Sequence, residues 1–392
     1  MKKKICFVIL SRAHYGSTKA IMKQAKKDNY FKVQVVVGAS AILKKFGEVD
    51  KEIKKDGFKI DQYLDFQSAR LDLLSMPQTV GLGLMSLSNA FKELKPDYVL
   101  TVGDRYETMA TAIASTYMNI PLLHTMGGER TGTLDESVRH AISKLAHLHF
   151  VANHDSKKRL VKMGERNKDI FNVGCPRIDT VKEALKNYSR SSLIKKLNNI
   201  GVGKKIKKSD DFIVLSQHPV TSEFEDSMKN YKMTVDAINK FSGKFKIIWL
   251  WPNADAGSDD ISGVIRQYRE KNYNKNIRYI TNMAPEIYFQ LLNECRCLVG
   301  NSSSAIREGA FIGVPAINIG TRQMGRLRPK NVIDVNHNEE EITNAIQECI
   351  TIKKNKIQFE NPYGDGKSSK KILDIIKKLD LSKNIIQKRI TY

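Results

Sequence analysis

One segment of the chain, HTMGGERTGTLDESVRHAISKLAHLH, concentrates side chains that could do chemistry. It runs from His124 to His149 and contains four histidines, two arginines and three acidic residues. Its first half is broken by Gly127, Gly128 and Gly132, and glycine lets a backbone approach a ligand closely. Its second half has helical spacing, which would hold the polar groups rigidly. A plain surface loop and a solvated helix are the alternative, but the neighbouring motifs favour a binding or catalytic site.

Four further polar clusters each follow a short apolar run, at the point where a strand would end. In open parallel sheets the ligand binds beyond the carboxyl ends of the strands, so these clusters should converge. Arg12 could clamp a phosphate, whereas Asp104 could also serve as the cap of a following helix. The clusters are SRAHYG from Ser11, GDRYE from Gly103, HPVT from His218 and GNSSS from Gly300.

The GNSSS cluster has the clearest physical interpretation. Gly300 permits a sharp turn, and Ser302 to Ser304 offer a capping hydroxyl and backbone N–H groups at the start of a helix, where phosphate binds readily. Glu308 would lie near the second turn and could accept hydrogen bonds from ribose hydroxyls, or be an ordinary exposed glutamate. Arg322 follows another strand end and could add a phosphate contact. No GxGxxG follows the first strand, which argues against nicotinamide chemistry.

Ten short apolar runs, which alternate with stretches of helical periodicity, must position these clusters. Continuous apolar strands separated by helices indicate parallel sheets covered on both faces. A chain of 392 residues can form two cores. The sequence therefore predicts an α/β fold of two Rossmann-like doubly wound domains, 1–185 and 186–372, followed by a helical tail, 373–392, that could pack back on the N-terminal domain. The runs are KICFVIL, KVQVVVGA, DYVLTVGD, PLLHTM, HLHFVAN, DFIVLSQ, FKIIWLWP, NIRYIT, CRCLVGN and PAINIG.

The composition limits the class of partner. Lys and Arg number 65 against 42 Asp and Glu, a formal net charge of +23 that favours an anionic partner. The lysines are scattered rather than massed on one predicted helix, so we prefer a lysine-rich usage bias to nucleic-acid binding. The five cysteines form neither a disulfide framework nor a zinc pattern, which favours a reducing cytoplasm. No apolar stretch is long enough to span a bilayer, so we expect a soluble protein.

The motifs GDRYE, HTMGGERTGTLDESVRHAISKLAH, GCP, QHPVT, PNADAGS, GNSSSAIREGA and GTRQMGR occur in this order and spacing. Together they resemble the hydrolysing UDP-N-acetylglucosamine 2-epimerases of sialic-acid and related nonulosonic-acid synthesis, over almost the whole chain from Arg12 to Tyr363. The resemblance implies the glycosyltransferase B type of fold, with the active site in the cleft between its halves. It also implies C2 proton abstraction, anti elimination of UDP and addition of water, which yields N-acetylmannosamine. This chemistry needs no redox cofactor and no metal.

The resemblance assigns roles to residues of this chain. Asp104 and Asp135 match the catalytic acidic positions, and Glu129 is a third candidate for proton transfer. Metal ligands are not expected. The positions that match nucleotide-diphosphate contacts, or lie in the substrate-facing motifs, are Arg12, Arg105, His124, His218, Asn253, Ser302, Ser303, Glu308 and Arg322.

Departures from the family pattern leave the substrate open. Many family members carry a glutamate where this chain has Met126, and methionine can neither take nor give a proton. His14 and Gly16 stand where an aspartate and a serine are common. Either the remaining acids suffice, or the substrate is a different sugar, such as UDP- or GDP-linked N,N'-diacetylbacillosamine in legionaminic-acid synthesis. The further alternative is a glycosyltransferase of the same fold. Relatives form dimers or tetramers, so we expect a homo-oligomer.

Overall fold

The structure is a computed structural model, and it describes residues 2–68, 72–103, 105–186, 188–220, 223, 225–252, 257–272, 275–352, 361–379 and 386–391. The chain forms two compact units. The first comprises Met1–Arg130, Leu134–Thr180 and Pro362–Tyr392, and the second comprises Thr131–Thr133 and Val181–Asn361. The sequence placed these boundaries at 185 and 372. The first unit resumes earlier because the N–H of Cys175 binds the carbonyl of Tyr363 and Asp179 accepts the N–H groups of Ser368 and Ser369.

The first unit is built on a parallel sheet. Its strand order is β3-β2-β1-β4-β5-β6-β7, which is the 3-2-1-4-5-6 Rossmann order with one strand added. The order reverses between β1 and β4, where Ile5 faces Val33 on one side and Tyr98 on the other. The strands are β1 Lys3–Ile9, β2 Phe31–Gly38, β3 Gln62–Leu64, β4 Tyr98–Val102, β5 Leu122–Thr125, β6 Leu148–Val151 and β7 Ile170–Asn172.

Helices pack on the first sheet and bury the apolar side chains of its central strands. On one face Cys6, Val8 and Leu10 of the first strand run pack with residues such as Leu87 and Phe91. Ser11 begins the first helix, because its hydroxyl accepts the N–H of His14. The helices are α1 Arg12–Lys27, α2 Val49–Lys55, α3 Ser75–Leu94, α4 Thr108–Tyr117, α5 Asp135–Leu145, α6 His154–Lys162 and α7 Pro176–Ala184, which continues into the second unit.

The second unit repeats the same plan. Its sheet has the order β14-β13-β12-β9-β10-β11-β8, and the order reverses between β9 and β12. All its neighbouring strands run parallel except β8, which pairs antiparallel with β11. The strands are β8 Val202–Gly203, β9 Phe212–Ser216, β10 Lys246–Leu250, β11 Ile277–Ile280, β12 Cys297–Gly300, β13 Ala316–Ile319 and β14 Val332–Val335.

Helices cover both faces of the second sheet. One core contains Trp249, whose indole N–H donates to the hydroxyl of Tyr231 at 2.6 Å, and the other contains Leu193 and Leu291. The second-unit helices are α8 Arg190–Ile200, α9 Ser227–Asn239, α10 Ser258–Lys271, α11 Pro285–Glu294, α12 Glu308–Ile312 and α13 Glu339–Thr351. The α/β class and the two Rossmann-like sheets predicted from the sequence are confirmed.

The C-terminal segment returns to the first unit. Helix α14 Ser368–Lys378 packs on α1, and Lys377 Nζ lies 2.7 Å from a carboxylate oxygen of Asp28. Of the helices within the described ranges, none has both the length and the apolar character required to cross a membrane.

Candidate active site

A histidine connects two elements at the switch point of the first sheet, which is the place between β1 and β4 where the strand order reverses. His14, in the first turn of α1, accepts the N–H of Leu10 on Nδ1 at 3.2 Å. Its Nε2 therefore carries the proton and donates to the Thr108 hydroxyl at the start of α4, 3.1 Å away. His14 is buried. The residue that departs from the family pattern here thus connects the end of β1 to the helix that follows β4.

Arg105, a predicted nucleotide contact just after β4, is held by an acidic neighbour. Its Nε donates to a carboxylate oxygen of Glu107 at 2.6 Å, and both side chains are buried. Any role of Arg105 in phosphate binding would therefore use the remaining guanidinium nitrogens, while Glu107 fixes the orientation of the group.

The glycine turn after β5 is packed against its own chain. A Cβ added to Gly127 would lie 2.8 Å from Nδ1 of His124, and one added to Gly128 would lie 2.6 Å from the carbonyl oxygen of Ser156. Gly128 also has a φ of +74°. At these two positions a side chain would collide with neighbouring atoms of the protein, so glycine is required whether or not a ligand also approaches the turn.

Met126 fills an interior site. It is 3 % exposed, its Sδ lies 3.9 Å from Sγ of Cys175, and its backbone has a φ of +63°, which is rare for a residue with a side chain. A glutamate in the same orientation would place a carboxylate beside a buried thiol. Met126 is thus a packing residue in a left-handed backbone conformation, and such conformations cluster at functional sites.

Helix α5 presents the acidic end of the motif. Asp135 and Glu136 occupy its first turn, where a negative charge is favoured by the helix dipole. Glu136 lies 3.6 Å from Nε2 of His140, one turn further on, which agrees with the spacing of the sequence. Burial, together with the charge of Arg139, lowers the pKa of His140. Asp135 and Glu136 are both half-buried, so the start of this helix presents two carboxylates.

Two other motif residues lie in the interior. His124 is fully buried within β5, with Nε2 2.9 Å from the carbonyl of Gly103 and Nδ1 3.2 Å from the Ser143 hydroxyl. Glu129 is 2 % exposed, and its carbonyl accepts a hydrogen bond from Arg139 at 2.7 Å. His124 thus connects α5 to the end of β4, a structural function that the sequence did not predict.

Asn301 organises the switch point of the second sheet. Its amide oxygen accepts the N–H of His218 at 2.8 Å and its amide nitrogen donates to the carbonyl of His218 at 2.8 Å. This pair of bonds joins the chain after β12 to the chain after β9. Gly300 makes the close approach possible, because a Cβ there would lie 2.2 Å from the carbonyl oxygen of Ser216. Asn301 was not among the site residues predicted from the sequence, although its position directly after a strand-end glycine is a signal for such a function.

The serines after β12 differ from the predicted arrangement. Ser302 accepts the N–H of Ser304 and caps a short 3-10 turn, Ser303–Ala305, rather than a long helix. Helix α12 begins only at Glu308 and contains five residues, so its dipole is small. Glu308 is 1 % exposed, hence the alternative of an ordinary exposed glutamate is wrong. Phosphate binding here would depend on the hydroxyls and N–H groups of the turn.

The loop after β13 converges on the same point. Nη1 of Arg322 lies 3.3 Å from the carbonyl oxygen of Asn301, and the amide of Gln323 donates to that oxygen at 2.8 Å. The N–H of Gly132 donates to the carbonyl of Arg322 at 3.2 Å, which places Thr131–Thr133 with the second unit. His218, Ser302 and Arg322 therefore come together at one edge of the second sheet.

Three further predicted residues belong to the strand-end motifs. Arg12 is the first residue of α1, directly after the capping Ser11. Asp104 and Asn253 lie outside the described residues. In the part of the chain that is described, no group of three or more His, Cys, Asp or Glu side chains is arranged to hold a metal ion.

Two Rossmann-like units with polar clusters at both switch points are typical of α/β proteins that bind nucleotides. Residues 23–377 match the family model described as UDP-N-acetylglucosamine 2-epimerase, and the chain belongs to this family. It is a nucleotide-sugar enzyme, as the sequence predicted.

Several members of this family, and solved structures of the same fold, are similar to the chain over most of its length. The chain is 34% identical over 388 residues to UDP-N,N'-diacetylbacillosamine 2-epimerase (hydrolyzing) of Legionella pneumophila, covering 99% of both chains. It is 29% identical over 368 residues to UDP-N-acetylglucosamine 2-epimerase of Neisseria meningitidis, covering 93% of this chain and 92% of that one. A solved structure of Methanocaldococcus jannaschii UDP-GlcNAc 2-epimerase, in complex with UDP-GlcNAc and UDP, shares the fold with a TM-score of 0.79 and 18% identity, covering 96% of this chain and all of that one.

Proposed function

We propose that this protein is a hydrolysing 2-epimerase of a UDP-linked 2-acetamido sugar. A base takes the proton from C2, the C2–H electrons form a C1–C2 double bond, and the C1–oxygen bond breaks to release UDP. Water then adds its oxygen to C1, while a proton is delivered to C2 on the opposite face. The products are a free sugar with inverted C2 and UDP.

The division of chemical groups between the two units carries this proposal. In the second unit His218, Ser302, Ser303, Glu308 and Arg322 offer donors for a diphosphate and acceptors for a ribose. In the first unit α5 presents Asp135, and Asp104 follows β4 in the chain. We assign proton transfer to these two carboxylates. Glu129 is the third candidate for proton transfer, and its side chain is buried in the same motif.

As the substrate we propose UDP-N,N'-diacetylbacillosamine. The Legionella relative named for that sugar is more similar, and over more of both chains, than the Neisseria relative named for UDP-N-acetylglucosamine. The second candidate is UDP-N-acetylglucosamine, which the family description names. Either activity would supply a precursor for nonulosonic-acid synthesis.

Turnover in deuterated water tests the proposal directly. The protein is incubated with each UDP-sugar, or the GDP-linked analogue, without any acceptor, and nucleotide release is measured with deuterium at C2 of the free sugar. We expect one nucleotide per sugar and one deuterium at C2. Nucleotide release without deuterium would indicate simple hydrolysis, and no release without an acceptor would favour a glycosyltransferase. Either result contradicts the proposal.

We also propose that the protein is a homodimer or homotetramer in which two copies meet at the exposed face of α3. No charged residue occurs between Ser75 and Phe91, yet Leu82 and Met85 are 52% and 69% exposed. Because a net charge of +23 makes copies repel one another, an uncharged apolar face is where two copies can meet. Sedimentation of Met85→Glu should show a smaller species than Lys92→Glu, its control on the same helix. Identical masses would contradict this interface.

The compartment we propose is the cytoplasm. All five cysteines are free and buried, which suits a reducing environment.

A further inference from the structure

A cluster of ionisable side chains around one buried carboxylate of the first unit is not used by the proposed chemistry. The side chain of Glu165 is 1 % exposed, and three basic side chains surround its carboxylate. Lys144 Nζ lies 2.8 Å from one oxygen, while His149 Nε2 and Lys388 Nζ lie 3.0 Å and 2.6 Å from the other. We name these four residues the Glu165 cluster. Glu165 and His149 are buried, whereas Lys144 and Lys388 are partly exposed. A buried carboxylate is costly unless it is paired.

The charge states of the cluster follow from its geometry. Burial alone would raise the pKa of Glu165, but hydrogen bonds from His149, Lys144 and Lys388 outweigh it and lower that pKa to about 2. Burial lowers the pKa of Lys388 to about 8, partly offset by Glu165. At neutral pH the carboxylate is therefore ionised and the Lys388 amine is mostly protonated, so the two attract each other.

Lys388 belongs to a short C-terminal segment, residues 386–391, which we call the strap. His147 accepts the N–H of Leu122 on Nδ1, so its Nε2 donates to the carbonyl of Ile386, 3.2 Å away. At the other end, the N–H of Thr391 donates to the carbonyl of Gly164 at 3.0 Å. The strap is thus fixed on both sides of Lys388.

The Lys388 amine also binds the end of the helix that carries the candidate catalytic carboxylate. Its Nζ donates to the carbonyls of Ser143 and Lys144, at 2.9 Å and 2.8 Å, in the last turn of α5. The last carbonyls of a helix have no partner within the helix, and a cation there is favoured by the helix dipole. Lys388 therefore fixes the C-terminal end of α5, whose first residue is Asp135.

A second connection leads from the same turn toward β4. The Ser143 hydroxyl lies 3.2 Å from Nδ1 of His124, and Nε2 of His124 lies 2.9 Å from the carbonyl of Gly103. Gly103 directly precedes Asp104 in the chain. An eleven-residue helix is about 16 Å long and moves as a rigid rod, so displacement of its last turn would shift both Asp135 and the support of Gly103.

We propose that Lys388 is a positioning residue for the reaction, and that the strap sets the placement of α5 and His124 without touching the substrate. This inference rests on the proposed function for its catalytic consequence. It assigns a function to the strap, which is distant in sequence from all the motifs.

The test uses three variants of the full chain. Lys388→Met removes the charge and the donors but keeps the apolar stem, while Lys388→Arg keeps a cation with several donors. Lys378→Met is the matched control, since Lys378 is an exposed lysine on α14. Turnover is measured with the UDP-sugar that the wild type uses, UDP binding is measured by calorimetry, and amide hydrogen exchange is followed across α5 and the residues next to Gly103.

The expected results distinguish a change in the placement of α5 from a change in UDP binding and from a loss of folding. Lys388→Met should lower kcat about tenfold or more, leave KM and the Kd of UDP within twofold, and speed exchange in the last turn of α5. Lys388→Arg should recover at least half of kcat, and Lys378→Met should match the wild type. If Lys388→Met does not fold, Lys388→Gln replaces it, since it keeps a donor for the carbonyls.

Two results would overturn the inference: an unchanged kcat when Lys388 is replaced, or equal loss in the arginine and methionine variants. If the wild type itself releases no UDP, the proposed function fails. The exchange measurement then decides the positioning part alone, and unchanged protection of α5 in Lys388→Met would refute it.

Discussion

At the switch point of the first sheet, His14 connects the end of β1 to the start of α4. At the switch point of the second sheet, Asn301 instead connects the two loops that follow β9 and β12. His14 joins Leu10 to Thr108 through its ring nitrogens, and the nearby Arg105 is neutralised by Glu107. Asn301 instead uses its amide to bind both backbone groups of His218. These two hydrogen bonds of Asn301 involve no charged group. The side chains of Arg322, Ser302 and Ser303 lie close to Asn301 and are half-buried.

This difference indicates how one fold serves two tasks. The first unit fixes polar and charged groups in the interior, as a site for proton transfer requires, because geometry and pKa must be set before the substrate arrives. The second unit fixes the backbone and keeps its donors near the surface, which suits binding and release of a nucleotide diphosphate. The variants below should separate the two tasks.

The largest effect is expected from Asp135→Asn in the first unit. If Asp135 transfers a proton, its amide replacement should lower kcat by about a thousandfold or more, near 4 kcal/mol, while the Kd of UDP changes less than twofold. The control is Glu136→Gln, because Glu136 shares the first turn of α5 and the same dipole effect. Steady-state kinetics and calorimetry check this. Similar rates in both variants would mean that Asp135 only stabilises the helix.

Acid should destabilise the first unit before the second. The folded-state pKa of Glu165 is about 2, below its ordinary 4.5, so its contribution is complete above pH 4.5 and is lost as the pH falls toward 2. The loss is about 3 kcal/mol. Both tryptophans, Trp249 and Trp251, lie in the second unit.

Circular dichroism should therefore report helix loss at a higher pH than tryptophan fluorescence reports unfolding. Glu165→Gln should be less stable than the wild type at pH 7 and show a smaller fall between pH 5 and pH 2. Coincident transitions by the two probes would contradict this separation of the units.

Replacing Met126 by glutamate should cost stability without a gain in activity. The side chain is packed against Cys175, and burying a carboxyl group there should lower the free energy of unfolding by about 2 kcal/mol. Met126→Leu is the control, since a swap of similar volume costs little. Urea unfolding and turnover assays measure both effects. Faster turnover in Met126→Glu would show that the methionine is a catalytic defect.

The sequence predicted the centre of each sheet and missed its borders. The ten apolar runs correspond to β1, β2, β4, β5, β6 and to β9 through β13, whereas β3, β7, β8 and β14 were not predicted. These four are the edge strands of the two sheets. Edge strands are short and partly exposed, so they lack the continuous apolar run that identifies a buried parallel strand.

For the candidate site, the sequence likewise predicted the general location but not the function of each side chain. Motif spacing located the strand ends, because residues at the carboxyl ends of parallel strands must lie at one edge of the sheet. It could not distinguish side chains that support the site from those that face a ligand: His124 and Arg105 are buried, and Asn301 was overlooked. Contacts between residues that are distant in sequence decide this, as in the pairing of Lys388 with Glu165.

The smallest effect is expected in the second unit, from Arg322→Met. Arg322 is half-buried beside the Asn301 carbonyl, so a phosphate contact there would be partly screened and worth about tenfold in affinity, near 1.4 kcal/mol. The Kd of UDP should rise by that factor, while kcat at saturating substrate stays within twofold. Arg328→Met is the control, because Arg328 pairs with Asp334 at β14. If Arg322→Met lowered kcat as Asp135→Asn does, and left UDP binding intact, nucleotide binding and proton transfer would not be divided between the units, and the contrast between the two switch points would have no functional meaning.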